Sequence, residues 1–266
     1  MLFRSIAVLH LNKLLKPGDT AIITTPFFVK LPSSFSRLGH VDQSYQITQW
    51  YPKPAVFDRD GWHQMPYLDQ GEFYSEFGSF DVRITVPSNY VVSATGDLFE
   101  CQDEEKWLEL RAKQTKLLLE ENRLDKTGRI RGEFTNEFPE SSSEWKTLRY
   151  KQNNVHDFAW FADKRFYVLR GEYNLPKSGR NVTMWSFFTQ QNSKYWAKSI
   201  QYLHDAVKYY SLWNGEYPYN VVSAVDGTIS AGGGMEYPTV TVIGNVGSDF
   251  GLETVIMHEV GHNWFY

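Results

Sequence analysis

The chain of 266 residues has a single cysteine, Cys101, which excludes an internal disulfide framework. Charged neighbours make it read as a surface or loop thiol rather than a nucleophile. No apolar run approaches the roughly 20 residues that a membrane-crossing helix needs. Basic excess is absent too: the formal net charge is −4, and no basic patch interleaved with aromatics argues for nucleic acid. The opening 15 residues are mildly apolar but are broken by Arg4, His10, Asn12 and Lys13, without the apolar core and cleavage site of a secretory signal. The compartment stays open. Asn181-Val182-Thr183 fits a glycosylation sequon, a triplet common by chance.

Aromatic residues are plentiful, at 16% with nine tryptophans, and lean toward strands and sheet packing. Hydrophobic content of 42% and charged content of 22% are those of a globular protein long enough for one large or two ordinary domains. The first two thirds read as sheet. Residues 20–29 are rich in Ile, Thr and Phe. Phe80, Val82, Ile84 and Val86 alternate with Asp81, Arg83 and Thr85, the period of a half-buried strand. Residues 147–150, 158–169 and 182–188 continue the theme. A charged, helix-prone stretch at 102–124 interrupts it, with Trp107, Leu110, Leu117 and Leu118 on one face, and is expected as an exposed insertion. From Asn192 the period changes: Trp196, Ile200, Leu203, Val207 and Tyr210 mark an amphipathic helix ended by Asn214-Gly215. His204 on that helix has no partner at ligand spacing and reads as packing or surface. A strand, a glycine run, a second strand and a helix follow.

Two segments carry chemistry. His258-Glu259-Val260-Gly261-His262 is an H-E-x-x-H motif after an apolar, proline-free approach in which Leu252, Val255, Ile256 and Glu259 keep helical spacing. On a helix the two imidazoles stand one turn apart on the same side, able to hold one zinc ion, with the glutamate beside them as a base for water. The motif is short enough to occur by chance. Upstream lies Gly232-Gly233-Gly234-Met235-Glu236-Tyr237-Pro238. Glycines let a peptide backbone approach, a strand edge can pair with it, and a carboxylate can bind a free α-ammonium. By itself this segment reads first as a glycine turn with a solvated glutamate. Its place, 22 residues before His258, ties it to the zinc motif.

Gly233-Gly234-Met235-Glu236-Tyr237 resembles the G-x-M-E-N motif of the gluzincin aminopeptidases, peptidase family M1. His258-Glu259-Val260-Gly261-His262-Asn263-Trp264 resembles the zinc motif of that family, and the order and spacing agree. Residues 46–52 and 155–160 are more loosely similar to its N-terminal β domain. The resemblance implies a multidomain β plus α/β fold. A saddle-like antiparallel β domain, 1–185, with the charged insertion at about 102–143, would precede the first part of a thermolysin-like α/β catalytic domain, 186–266. It implies zinc at His258 and His262, Glu259 as general base, and Glu236 on the free N-terminus of peptide substrates, with Gly233, Gly234 and Met235 beside it. Gln49 matches a glutamine of the first subsite, although a sheet glutamine is ordinarily structural. His156 and Asp157 read as structural polar residues near a strand start.

Two departures bear on this. Tyr237 stands where the family has asparagine, which affects the geometry of the amine site. The family's third zinc ligand, a glutamate on the next helix, and its oxyanion-stabilising tyrosine have no counterpart before Tyr266, and its β domain starts earlier than Thr20. The expectation is a fragment shortened at both ends, holding two of three zinc ligands and inactive alone. Two other readings stay open: a zinc endopeptidase, and a non-catalytic binding module of the same fold.

Overall fold

The computed structural model describes residues 6–67, 71–131, 137–229 and 233–266. Gly232 of the glycine run and residues 132–136 of the expected insertion lie outside them. The first strands are β1 (Gly39–Val41), β2 (Ser44–Ile47), β3 (Val56–Asp58), β4 (Gly61–His63), β5 (Gly78–Pro87), β6 (Val91–Ala94) and β7 (Asp97–Leu98). Helix α1 (Gln102–Glu120) precedes β8 (Trp145–Val155), β9 (Trp160–Asp163), β10 (Tyr167–Asn174) and β11 (Asn181–Phe188). A 3-10 turn at Gln190–Asn192 leads into α2 (Ser193–Trp196) and α3 (Ser199–Asn214). The chain closes with β12 (Val221–Asp226), β13 (Gly234–Tyr237), β14 (Val240–Ile243) and α4 (Asp249–Gly261).

Through β9 the pairing is antiparallel, in sheets ordered β1-β2-β9-β6, β3-β4 and β5-β8-β7. In β5 the expected alternation is realised: Ile84 and Val86 are buried while Asp81, Arg83 and Thr85 face water. Residues 20–29, expected as a strand, form none; Ile22 is 91% and Phe28 89% exposed. Strand-prone side chains express that preference only against a neighbouring strand, and among the described residues none pairs with this segment.

A five-stranded sheet ordered β10-β11-β12-β14-β13 underlies the site. β11, β12 and β14 run parallel, and β10 and β13 are antiparallel edges. The division expected at residue 185 falls inside β11, the second strand of this sheet. Both faces are covered, so β12 and β14 are unbroken buried runs rather than alternating ones. Met184, Val222, Ala224 and Ile243 belong to the core under α3 and α4. Trp185, Val225, Val240 and Val242 face the opposite core, with Phe161 and α1.

That second core changes the picture of α1. Of the residues expected on its apolar face, Leu110 and Leu117 are exposed, while Trp107 and Leu118 are half-buried against the two cores. The buried stripe is Glu104, Leu108, Ala112 and Thr115, one face of the helix, which packs along β10. The helix therefore covers a sheet rather than standing in solvent. The helix expected from Asn192 is likewise broken. Ser193 Oγ donates to the Gln190 carbonyl at 2.8 Å and Ser199 Oγ to the Trp196 carbonyl at 2.6 Å, serine hydroxyls competing for helix acceptors at the break. Helix α4 starts on Ser248, whose hydroxyl accepts from the Gly251 N–H at 3.0 Å. It buries Leu252, Ile256 and Val260 with Leu203 and Val207 of α3. Between the two motif histidines, Gly261 lets α3 come close: a Cβ there would stand 2.9 Å from the Tyr210 hydroxyl.

Candidate active site

Period two decides what β13 presents to α4. Met235 and Tyr237 turn into the core shared with Phe161, and Gly234 and Glu236 turn the other way. Gly234 is the point of crossing. A Cβ on it would lie 2.7 Å from both Cγ and Cδ of Glu259, so only the missing side chain leaves room for the carboxylate. Gly233 is exposed beside Val255, 3.4 Å from where its Cβ would be. A carboxylate oxygen of Glu236, one of Glu259 and a ring nitrogen of His262 lie within 4.8 Å of one another. Met235 is not part of this group: its side chain is buried on the far face. Tyr237 is buried there too, so its side chain fills a core rather than facing Glu259 and His262.

His258 is exposed and His262 half-buried, their rings at 87° and their Nε2 atoms 3.3 Å apart. Two nitrogens that each stand about 2.0–2.1 Å from one tetrahedral zinc are separated by about 3.3–3.4 Å. The pair fits that ion. His262 Nδ1 lies 2.8 Å from the Phe265 carbonyl, so it donates there and Nε2 keeps its lone pair toward His258. Glu259 is 5% exposed, and its Oε2 is buried without a hydrogen-bond partner. An orphaned acceptor in such a place is a group in want of a proton or cation.

Burial, and then the charges of Glu236 and Glu72, push the Glu259 carboxyl up to about 8. Burial also raises Glu236, Glu72 adding to the rise while His262 and Arg37 oppose it. Sequence reasoning singled out neither Glu72 nor Arg37. Arg37 is buried, bonded to the Gly71 carbonyl at 2.8 Å and to Glu72 at 3.4 Å. Both lie in segments without periodicity or motif, so nothing local marks them. Of the more distant residues, Gln49 and Tyr51 bond to Asp157, and His156 packs edge-on against Tyr266 at 4.1 Å. His204 meets Tyr173 edge-on at 5.0 Å, a packing role.

Among solved structures, the chain is similar to Legionella pneumophila aminopeptidase A in complex with aspartic acid. The TM-score is 0.52, with 14% identity over 87% of this chain and 23% of that one. The fold is similar to that of M1 aminopeptidase domains. The M1 zinc metallopeptidase from Deinococcus radiodurans aligns over 70% of this chain and 34% of that chain, with 17% identity and a TM-score of 0.42. The chain thus spans 23% of the length of the Legionella enzyme. In sequence it matches no protein-family model and no curated protein.

Proposed function

We propose that the chain carries the centre of a zinc-dependent aminopeptidase, an enzyme that hydrolyses the first peptide bond of peptides with a free N-terminus. In this reading the early antiparallel sheets belong to a saddle-like β domain, and the five-stranded sheet with α3 and α4 opens a thermolysin-like α/β domain. One observation carries it: Gly234 and Glu236 of one motif meet Glu259 and His262 of the other, in the one place where a missing Cβ admits the buried carboxylate.

His258 and His262 would hold the ion. When bound, zinc supplies Lewis-acid polarisation of the scissile carbonyl and a water of lowered pKa. Glu236 accepts hydrogen bonds from the α-ammonium of the substrate and sets the cut at the first bond. Gly233 and Gly234 leave the backbone of the substrate free to approach. Among the described residues no strand pairs with the outer edge of β13, so an extended peptide can lie along it. Glu259 Oε2 takes a proton from the attacking water and returns it to the leaving amine. Its raised proton affinity suits that exchange near neutral pH, and the incoming ammonium draws it down again.

On this reading, Glu259→Gln is expected to lower turnover of free-amine peptides by about 10³-fold while zinc content stays at the wild-type level. Hydrolysis assays with metal analysis check this. A wild-type rate in the Gln variant would remove the assignment. Cleavage of N-acetylated peptides as fast as free ones would favour an endopeptidase instead.

A further inference from the structure

On the face of the five-stranded sheet away from α4, a cavity of about 120 Å³ lies between β11, β12, the edge strand β6 and the first two turns of α1. It is separate from the site described above: β14 stands between β12 and β13, and Glu236 faces the other side of the sheet with Glu259. Leu108, Trp185, Phe187 and Val221 make its apolar wall. Packed interiors leave few voids larger than a water molecule, and an apolar cavity of about 150 Å³ is able to hold benzene. The space therefore suits one ring or a branched alkyl group.

Three polar side chains give the cavity a sign. Ser93 is 3% exposed, and its Oγ is buried without a hydrogen-bond partner. Strand period places it on the cavity side: Val92 and Ala94 enter the core with β5 and β8, and Val91 enters the one shared with α1. Asp97 is half-buried, accepting from Asn220 Nδ2 at 3.1 Å, and Glu105 is exposed at the rim. Among the described residues neither carboxylate has an ion-pair partner, and no lysine or arginine lines the cavity. The Tyr150 hydroxyl in the wall is committed to the Val92 carbonyl at 3.1 Å. Carboxylates and aromatic rings without a cation attract positive charge and repel negative charge.

We propose that this cavity binds a small primary ammonium ion with an apolar body. The body lies against Leu108, Trp185 and Phe187, and the charged end turns toward Ser93, Asp97 and Glu105. An ammonium has three N–H donors and no acceptor, which matches these three groups. The proposal does not depend on the aminopeptidase reading.

Calorimetry on the chain with benzylammonium, benzyl alcohol and benzoate as probes tests this. Benzylammonium is expected to bind one to one, about tenfold more tightly than the alcohol, the scale of a hydrogen bond to a charged group, and benzoate not to bind. Ser93→Ala should weaken benzylammonium several-fold without lowering the melting temperature, since an unpartnered buried hydroxyl stabilises nothing in the free protein. The double variant Asp97→Asn, Glu105→Gln should remove the preference over the alcohol. Thr183→Trp, on the cavity wall, should abolish binding of both probes by filling the space. No binding of benzylammonium, equal affinity for the alcohol, or binding unaltered by Thr183→Trp would each overturn the proposal. If Thr183→Trp does not fold, nuclear Overhauser contacts between the ring of the probe and the Leu108 methyls carry the location: their presence supports it and their absence overturns it. Glu236→Gln is expected to leave benzylammonium binding unchanged. Loss of binding in that variant would put the probe in the amine site, and the cavity proposal would fall while the aminopeptidase reading stood.

Discussion

Glu259 concentrates the physical tension of the molecule at a single residue. Its carboxyl is pushed from 4.5 to about 8, by burial first and then by the charges of Glu236 and Glu72. Between those values the folded chain keeps a proton that the unfolded chain has released, so the native state binds more protons and loses stability as pH rises, then levels off. The metal-free protein should therefore melt at a lower temperature at pH 8 than at pH 5, and Glu259→Gln should flatten part of that decline. Identical pH profiles for the two proteins would show that the carboxyl is not so perturbed. Gly234 makes the burial possible. Gly234→Ala sets a Cβ against Glu259 Cγ and Cδ and must displace the carboxylate. A displacement of about 1 Å can cost about 10²-fold in rate, with only a few degrees in melting temperature. Steady-state kinetics and a thermal melt separate the two effects.

At the scale of elements, α1 shows how a sheet recruits a helix. The stripe that packs is Glu104, Leu108, Ala112 and Thr115, the face at i, i+4, i+8 and i+11, and not Leu110 and Leu117 on the opposite side. Glu104 is held by Lys146 on β8 at 2.7 Å, with the ammonium 4.0 Å from the centre of the Trp107 ring. Burial raises the carboxyl and lowers the ammonium, each partner opposing the shift of the other. Such a pair costs more to break than to replace. Lys146→Met alone should destabilise the fold by about 3 kcal/mol, and adding Glu104→Leu should recover most of it. Denaturant melts of the single and double variants test this; a double variant no better than the single would mean the pair is a net stabiliser. The sequence marks the extent of the helix and, in Trp107 and Leu118, part of the face that packs; the buried Glu104 depends on Lys146 of a distant strand and has no local signal.

Across the whole molecule the site is a meeting of the edge strand β13, the helix α4 and loop residues far earlier in the chain. An ion that binds only this assembled state raises its stability by about 2.7 kcal/mol at a hundredfold excess over Kd. Zinc is thus expected to raise the melting temperature of the metal-free protein by several degrees, and His262→Ala should lose that increment. Equal shifts with and without His262 would place zinc elsewhere.

The sequence by itself determined which residues could make a metal and amine site, because H-E-x-x-H on a helix and a glycine run before a strand impose local geometry regardless of the rest. It also determined the long strands and helices whose periodicity faces one core. What it could not decide was anything set by contacts between distant segments. Residues 20–29 have the composition of a strand but no partner among the described residues, and they form none. Met235 and Tyr237 share a motif with Glu236 but, by the alternation of a strand whose register only the sheet defines, they face the other way. Glu72 and Arg37 carry no local signal, and only tertiary folding brings their charges to bear on Glu236. The H-E-x-x-H glutamate was legible as a candidate base; its buried, unpartnered oxygen above Gly234 exists only because α4 crosses β13 at a residue without a side chain.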